Sequence, residues 1–193
     1  MTTLALAATL LVGPVEPTIV SRDQWGAKAH LPGAIPHTIE RLTIHHTGVL
    51  SNKSRSLEDK LRGLQLFSQR EDKLANGKTK PAWVDVPYHF YISIDGRIGE
   101  GREWYFAGDT NTEYNPTGHL LIVVEGEFGQ EEPTPEELSS LKQLTTYCIW
   151  RWRLTSDKIE SHKDYSKQTD CPGKALYEFL PALRSHVKQV LGK

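Results

Sequence analysis

One short run of the chain constrains the fold more than any other feature. Residues 120–125 read LLIVVE, an almost continuous apolar run of strand length. A strand covered on one face alternates apolar and polar residues, whereas this run has apolar side chains on both faces. We therefore predict a central strand that is buried on both sides, within a sheet that carries helices on its two faces.

Several other segments show strand or hairpin signals. Glu40–His46 alternates apolar and polar residues, which predicts a strand that ends at a histidine pair. His89–Ile94 and Arg97–Gly101 flank the dipeptide Asp95-Gly96, which is typical of a tight hairpin turn. A further short strand is predicted at Ile159–His162.

Three helices are predicted from capping residues and apolar spacing. Ser56 and Asp59 resemble a capping box, and leucines recur at helical spacing around them. Thr134 offers an N-cap, with a proline at the first helical position and a glutamate at the third. The last helix begins near Lys174, and Pro181 is expected to kink it or split it in two. Helices interleaved with strands predict a single α/β domain around one sheet.

The amino-terminal stretch leaves two interpretations open. Leu4–Val12 is apolar and has about the length of a signal-peptide core, but no basic residue precedes it and no A-x-A site follows. It is either a degenerate export signal or an ordinary apolar segment that could lie on the body of the domain. Pro14–Pro17 reads as a linker, so we assign residues 1–17 to an amino-terminal segment and residues 18–193 to the domain.

Charge and hydropathy argue against two classes of partner. Lys and Arg total 23 and Asp and Glu total 24, so the net charge of −1 offers no basic excess for nucleic acid. No run reaches the roughly 18 consecutive apolar residues of a spanning helix, so we expect no transmembrane segment. With two cysteines, Cys148 and Cys171, the chain can form at most one disulfide.

Dispersed histidines and one cysteine form a candidate metal site. His45 closes a predicted strand, His162 follows another, and Cys171 precedes a Pro-Gly turn before the last helix. A lone histidine or cysteine is more often structural, and Cys171 could instead pair with Cys148. Cys148, however, lies on the apolar face of a predicted helix and reads as a small buried hydrophobe. Two imidazoles and one thiolate around zinc leave a fourth position for water, which is the pattern of a catalytic site.

Five segments, spread from about Thr18 to the carboxyl end, carry a family resemblance. They are Ile19–Gly26 (IVSRDQWG), Thr43–Thr47 (TIHHT), Val86–Phe90 (VPYHF), Asp95–Arg102 (DGRIGEGR) and Thr169–Gly173 (TDCPG). These segments resemble the signature regions of the N-acetylmuramoyl-L-alanine amidases, specifically the superfamily of type-2 amidases and peptidoglycan recognition proteins.

The resemblance implies a fold and a metal site. The implied fold is a central mixed β-sheet flanked by helices. His45, His162 and Cys171 match the ligands of a Zn²⁺ ion in that family. His46 should then point to the opposite face of its strand, because side chains alternate along a strand.

The resemblance also implies an activity. A zinc-activated water would hydrolyse the amide between the lactyl group of muramic acid and L-Ala of the peptidoglycan stem peptide. Tyr88 matches the family's active-site tyrosine and would stabilise the oxyanion, with Thr169 as a candidate second donor. Glu125 is a candidate acid or base, although it lies off the family's usual position. The alternative for Glu125 is a solvated carboxylate at a strand end.

A long substrate of this kind requires a groove. Trp83, Trp104 and Tyr105 could present apolar faces to a sugar or peptide, or they could pack in the core or at its rim. Arg102 could pair with a peptide carboxylate, although exposed arginines usually bind nothing specific. The expected partner is peptidoglycan or a muropeptide, and the protein is expected to be a monomer. The substrate favours a periplasmic or secreted protein, and a cytoplasmic location is the alternative.

Two other functions stay open from the sequence. One is a peptidoglycan-binding module without catalysis, and the other is a zinc hydrolase of a different amide. Binding-only relatives typically lack the cysteine ligand, whereas Cys171 is present here, so the enzyme is favoured.

Overall fold

The computed structural model describes residues 13–74 and 77–192. The apolar stretch Leu4–Val12, with its two open interpretations, lies outside the described residues. Within those residues the elements follow in chain order: β1 (Ile19–Val20), α1 (Arg22–Trp25), β2 (Arg41–His46), α2 (Leu57–Ser68), β3 (Asp72–Lys73), β4 (Thr79–Lys80), β5 (Phe90–Ile92), β6 (Ile98–Glu100), β7 (His119–Val124), α3 (Pro135–Arg151), β8 (Ile159–Ser161), α4 (His162–Tyr165) and α5 (Lys174–Leu191).

Six of these strands form one sheet in the order β1-β6-β5-β7-β2-β8. β7 lies in the interior of the sheet and runs parallel to both of its neighbours, β5 and β2. β2 is also parallel to β8, and β1 to β6, whereas β5 and β6 pair as an antiparallel hairpin. The sheet is therefore mixed, which confirms the expected single α/β domain. β3 and β4 pair separately as a small antiparallel hairpin.

The apolar run that forms β7 is buried along its whole length. Leu120, Ile122 and Val124 point into the larger core, which also contains buried side chains of α3 and α5. Val123 points to the other face and packs in a second cluster with Trp25 and with residues of α2. Helices thus cover both faces of the sheet, as the apolar run predicts, because successive side chains of a strand alternate between its faces.

The predicted helix starts are confirmed by their caps. The Ser56 side chain accepts a hydrogen bond from the Asp59 amide at the start of α2. At the start of α3, Thr134 and Glu137 form a reciprocal capping box around Pro135. These side chains satisfy amide groups that have no partner inside the helix, so both helices begin where the sequence signals place them.

The expectation that Pro181 splits the last helix is wrong, because α5 continues through it from Lys174 to Leu191. Proline removes one hydrogen bond from a helix interior. The apolar side of α5 compensates, since Leu176, Leu180 and Leu183 are buried in the core on both sides of the proline.

The structure confirms the tight turn at Asp95-Gly96 and the burial of Cys148. Gly96 has a φ of 79°, and a Cβ at that position would lie 2.9 Å from the Glu136 carbonyl oxygen, so the turn needs glycine. Cys148 is fully buried in the core, and both cysteines are free thiols, which rules out the Cys148–Cys171 disulfide in this structure. Among the described helices none has the length and apolar character to cross a membrane.

Candidate metal centre

Three side chains from distant parts of the chain meet at one edge of the sheet. His45 lies near the end of β2, and His162 follows β8, which runs parallel to β2. Carboxyl ends of parallel strands lie at the same edge of a sheet, so the two imidazoles are brought together. Cys171 reaches them from the turn before α5. The three ligand atoms all lie within 4.8 Å of one another, and we name these residues the His-His-Cys cluster.

Backbone contacts hold the cysteine of this cluster in place. The Cys171 carbonyl accepts a hydrogen bond from the Lys163 amide at 2.9 Å, which ties the turn to α4. A Cβ at Gly173 would lie 2.5 Å from the Phe128 carbonyl carbon, so only glycine allows the turn to approach the loop after β7 this closely. The Cys171 Sγ atom lies 3.7 Å from His45 Nδ1 and accepts from the His46 amide at 3.3 Å.

The cluster is buried, which keeps its protein groups uncharged. The exposed fractions are 2% for His45, 9% for His162 and 7% for Cys171. Burial holds the pKa of His45 well below its usual value and lowers the pKa of His162 to about 4, so both imidazoles are neutral near pH 7. Burial also raises the pKa of the Cys171 thiol to about 12.

This donor set suits zinc. Neutral imidazole nitrogens are ready ligands, and the thiol becomes a thiolate ligand when a divalent cation displaces its proton. Two nitrogen donors and one sulfur donor are typical of zinc rather than of calcium or magnesium, which prefer oxygen ligands. Three protein ligands rather than four are typical of catalytic zinc sites.

The cluster opens onto a cavity of about 230 Å³. Two cluster residues, His45 and His162, line it together with Tyr88, Trp83 and Thr169. The Tyr88 ring centroid lies 5.2 Å from that of His45. Burial and the neighbouring Cys171 raise the pKa of Tyr88, so its phenol remains protonated and able to donate a hydrogen bond near pH 7.

Comparison with known proteins identifies the family. Residues 36–174 match the family model described as N-acetylmuramoyl-L-alanine amidase. This chain belongs to that amidase family. The matched range includes every residue of the His-His-Cys cluster.

Individual relatives of this amidase-family chain include recognition proteins and enzymes. It is 30% identical over 156 residues to peptidoglycan recognition protein 4 of Mus musculus, covering 80% of this chain and only 38% of that relative. Among solved structures, the endolysin N-acetylmuramoyl-L-alanine amidase LysCS of Clostridium intestinale matches with a TM-score of 0.63 and 27% identity, covering 88% of this chain and 97% of that one. Human PGRP-IBETAC, solved with glycosamyl muramyl pentapeptide, matches with a TM-score of 0.69 and 27% identity, covering 85% and 94%.

Three other predicted site residues, Thr169, Trp83 and Trp104, differ in whether they line the cavity beside the His-His-Cys cluster. Thr169 lines the cavity, and its hydroxyl accepts from the Cys171 amide at 3.1 Å. Trp83 also lines the cavity, and the buried Lys80 ammonium lies 4.6 Å from its ring centroid. Trp104 is outside the cavity lining, 39% exposed, with its ring 5.7 Å from that of Trp152. Its groove role stays a prediction.

The expectation that Arg102 pairs with a substrate carboxylate is corrected by its surroundings. Its side chain is 2% exposed, and its guanidinium donates to the carbonyls of Asp85, Val86 and Ala107 and to the Asp109 carboxylate. Each guanidinium nitrogen therefore has an acceptor within the protein, and Arg102 supports the loops around the cavity rather than meeting a ligand.

The structure corrects one of the two interpretations of Glu125. The residue is 3% exposed, so it is not a solvated carboxylate. Its Oε2 atom lies 2.7 Å from the Lys60 Nζ atom in a buried ion pair, and its Oε1 atom accepts from the Asn52 amide. It lines a different cavity, together with Lys60 and Tyr91, and it is not among the residues that line the cavity of the His-His-Cys cluster. The acid or base role of Glu125 stays a prediction.

Sequence reasoning missed the segment 109–114, which lines the cavity through residues 109–112. This polar stretch has neither strand nor helix periodicity, and it lies outside the five segments that resemble the family. Only the tertiary structure shows that Thr112 approaches the imidazole of His162.

Proposed function

We propose that this chain is a zinc-dependent N-acetylmuramoyl-L-alanine amidase, with residues 18–193 as its catalytic domain. The reaction is hydrolysis of the amide between the lactyl group of muramic acid and L-Ala of the stem peptide. The observation that carries the proposal is the His-His-Cys cluster, whose three donor atoms lie within 4.8 Å of one another beside an open cavity.

The proposed roles follow from the donor chemistry and the cavity. His45, His162 and Cys171 would hold the zinc ion. When bound, zinc supplies an acidified water as nucleophile and a Lewis acid for the amide carbonyl. Every other contribution comes from side chains that bind the substrate or stabilise charge.

Tyr88 and Thr169 are proposed to stabilise the negative charge that develops on the carbonyl oxygen. The Tyr88 phenol is protonated near neutral pH and borders the cavity beside His45. Thr169 offers a hydroxyl on the same cavity wall. Loss of one such donor typically lowers kcat by about a hundredfold to a thousandfold.

The substrate assignment rests on the family and on the shape of the site. Trp83 presents an aromatic surface at the cavity, which suits an apolar part of a muropeptide. The human relative solved with glycosamyl muramyl pentapeptide supports the same ligand class here. Because peptidoglycan lies outside the cytoplasmic membrane, we propose that the protein acts there, as a monomer whose three metal ligands come from one chain.

A second candidate function is recognition of peptidoglycan without hydrolysis. It is favoured by the similarity to proteins named as recognition proteins. The presence of all three donors of the cluster favours the enzyme instead, because binding alone requires no metal.

The decisive experiment incubates zinc-loaded protein with purified sacculi and with a defined muropeptide, and identifies the products by mass spectrometry. We expect stem peptides with a free L-Ala amino terminus, lost on chelation and restored by zinc. His162→Ala and Cys171→Ser should be inactive. Cys148→Ala, which changes a buried cysteine outside the cavity lining, is the matched control.

Other outcomes decide against the proposal. Tight muropeptide binding without turnover by the zinc-loaded protein would identify a recognition module. Undiminished turnover by zinc-free His162→Ala protein would refute the metal mechanism. Faster cleavage of an amide that contains no muramic acid would place the chain among zinc hydrolases of another substrate class.

A further inference from the structure

The segment 109–114 (DTNTEY) contacts the Nε2 atoms of both imidazoles of the His-His-Cys cluster. The Thr112 hydroxyl oxygen lies 2.8 Å from His162 Nε2. The Thr110 hydroxyl oxygen lies 2.9 Å from that of Thr112 and 3.4 Å from the same imidazole nitrogen. One ring nitrogen of His162 is therefore engaged by this segment before any metal binds.

These contacts are compatible with the tautomer of His162 that carries its proton on Nε2. The Thr112 amide donates to the Thr110 hydroxyl oxygen at 3.2 Å, which makes that oxygen an acceptor. His162 Nε2–H can then donate to the Thr112 hydroxyl, and the Thr112 hydroxyl can donate onward to Thr110. With the proton on Nε2, the Nδ1 nitrogen keeps its lone pair for a metal ion.

His45 shows the same arrangement in a weaker form. Its Nδ1 atom faces the Cys171 sulfur, and its Nε2 atom lies 3.5 Å from the Tyr114 hydroxyl. The Tyr114 ring also packs against the His162 ring, with centroids 5.1 Å apart. Both imidazoles of the cluster are therefore contacted at Nε2 by one short piece of chain.

That piece of chain is anchored at both ends, so its hydroxyl groups are held in fixed places. The Asp109 carboxylate pairs with the buried Arg102 guanidinium. The Glu113 carboxylate accepts from the Ser166 hydroxyl at 2.6 Å and from the Lys167 amide at 3.0 Å. Because Ser166 and Lys167 closely follow His162 in the chain, Glu113 ties the segment to the element that carries this histidine.

We propose that segment 109–114 positions both imidazoles for zinc, with Thr112 as the principal positioning residue and Tyr114 as a secondary one. Partners of this kind fix the tautomer and the ring orientation of a ligating histidine. The proposal rests on the proposed zinc site, and it assigns a role to the ion pair between the buried Arg102 and the half-buried Asp109 as an anchor of the segment.

The test measures zinc affinity directly, by competition with a chelator of known affinity. Thr112→Val removes the hydroxyl while keeping the shape, and Thr112→Ser keeps the hydroxyl. Thr117→Val is the matched control, because Thr117 is exposed and lies outside the cavity lining. We expect Thr112→Val to bind zinc about tenfold to a hundredfold more weakly than the unaltered chain. Thr112→Ser and Thr117→Val should retain its affinity, and the metal-free melting temperatures should match.

Unchanged zinc affinity in Thr112→Val, or an equal loss in Thr112→Ser, overturns the proposal. Tyr114→Phe supplies a second variant, for which we expect a smaller loss because its contact is longer. The outcomes also separate the two proposals. An unaltered chain that binds zinc without cleaving muropeptides refutes the amidase function alone. Equal zinc affinity in the unaltered chain and in Thr112→Val refutes the positioning role alone. An unaltered chain that binds no zinc refutes both.

Discussion

Replacing Lys60 with methionine tests the buried ion pair between Lys60 in α2 and Glu125, the residue that follows β7. The Lys60 Nζ atom lies 2.7 Å from Glu125 Oε2, and both side chains are less than a tenth exposed. The same Glu125 oxygen accepts from the Ser93 hydroxyl at 3.1 Å and from the Ile94 amide at 3.0 Å. Lys60→Met keeps a long apolar stem and removes only the cation, so it leaves a buried carboxylate without its charge partner.

The expected loss follows from that geometry. Removing one partner of a buried ion pair typically costs about 3–5 kcal/mol in the free energy of unfolding. The neutral donors that remain on Glu125 place this case near the lower end, at about 3 kcal/mol. For a domain of this size the melting temperature should then fall by about 6–12 °C. The double variant Lys60→Met with Glu125→Gln should regain part of the loss, because the uncompensated charge is gone.

Urea unfolding monitored by circular dichroism measures the effect, with the slope of the transition unchanged. A loss below about 1 kcal/mol in Lys60→Met would refute the reasoning, since that is the range of an exposed pair. Turnover by folded Glu125→Gln separates the structural role from catalysis. We expect it to be retained, and a fall of about a hundredfold or more would identify Glu125 as an acid or base.

Three further predictions concern zinc, pH and the cavity wall. Zinc at a hundred times its Kd should add about 2.7 kcal/mol to the free energy of unfolding and raise the melting temperature by about 5–11 °C. Identical melting curves with zinc and with chelator would contradict this. Burial lowers the pKa of His89 to about 3 and of His119 to about 4, so the unfolded chain binds more protons than the folded one below pH 6.5. The urea midpoint of the metal-free protein should therefore fall as pH decreases from 6.5 to 4, and a flat profile would exclude neutral buried imidazoles. Trp83→Ala should raise KM for a muropeptide more than it lowers kcat in steady-state assays. The control variant Trp150→Ala, on the exposed side of α3, should change neither constant. Equal kinetics in both variants would show that Trp83 is not part of the binding surface.

Much of the fold could be predicted from local patterns. The run that forms β7 has apolar side chains at both odd and even positions, and helices cover both faces of the strand. The caps at Ser56 and Thr134 act within one turn of helix, so their meaning is independent of distant residues. Pro181 shows the limit of this approach, because the sequence left a kink and a split both open and only the structure excludes the split.

The candidate site could be predicted only through the family resemblance. His45, His162 and Cys171 were assembled by resemblance, and the parallel pairing of β2 with β8 is what brings the two imidazoles to one edge. Arg102 belongs to one of the same motifs, yet its charge is directed into the protein. A motif identifies a residue type at a position, and it does not specify which way that side chain points.

The amino-acid sequence by itself determined the main strands and helix starts, because periodicity and caps act over a few neighbouring residues, and its family resemblance supplied the candidate metal donors. The tertiary structure alone decided the partners. Lys60 and Glu125 are 65 positions apart, and Thr112 and His162 are 50 apart. Contacts at such separations are set by how the elements pack, since burial makes an unpaired charge or donor costly and packing determines which group lies near enough to satisfy it.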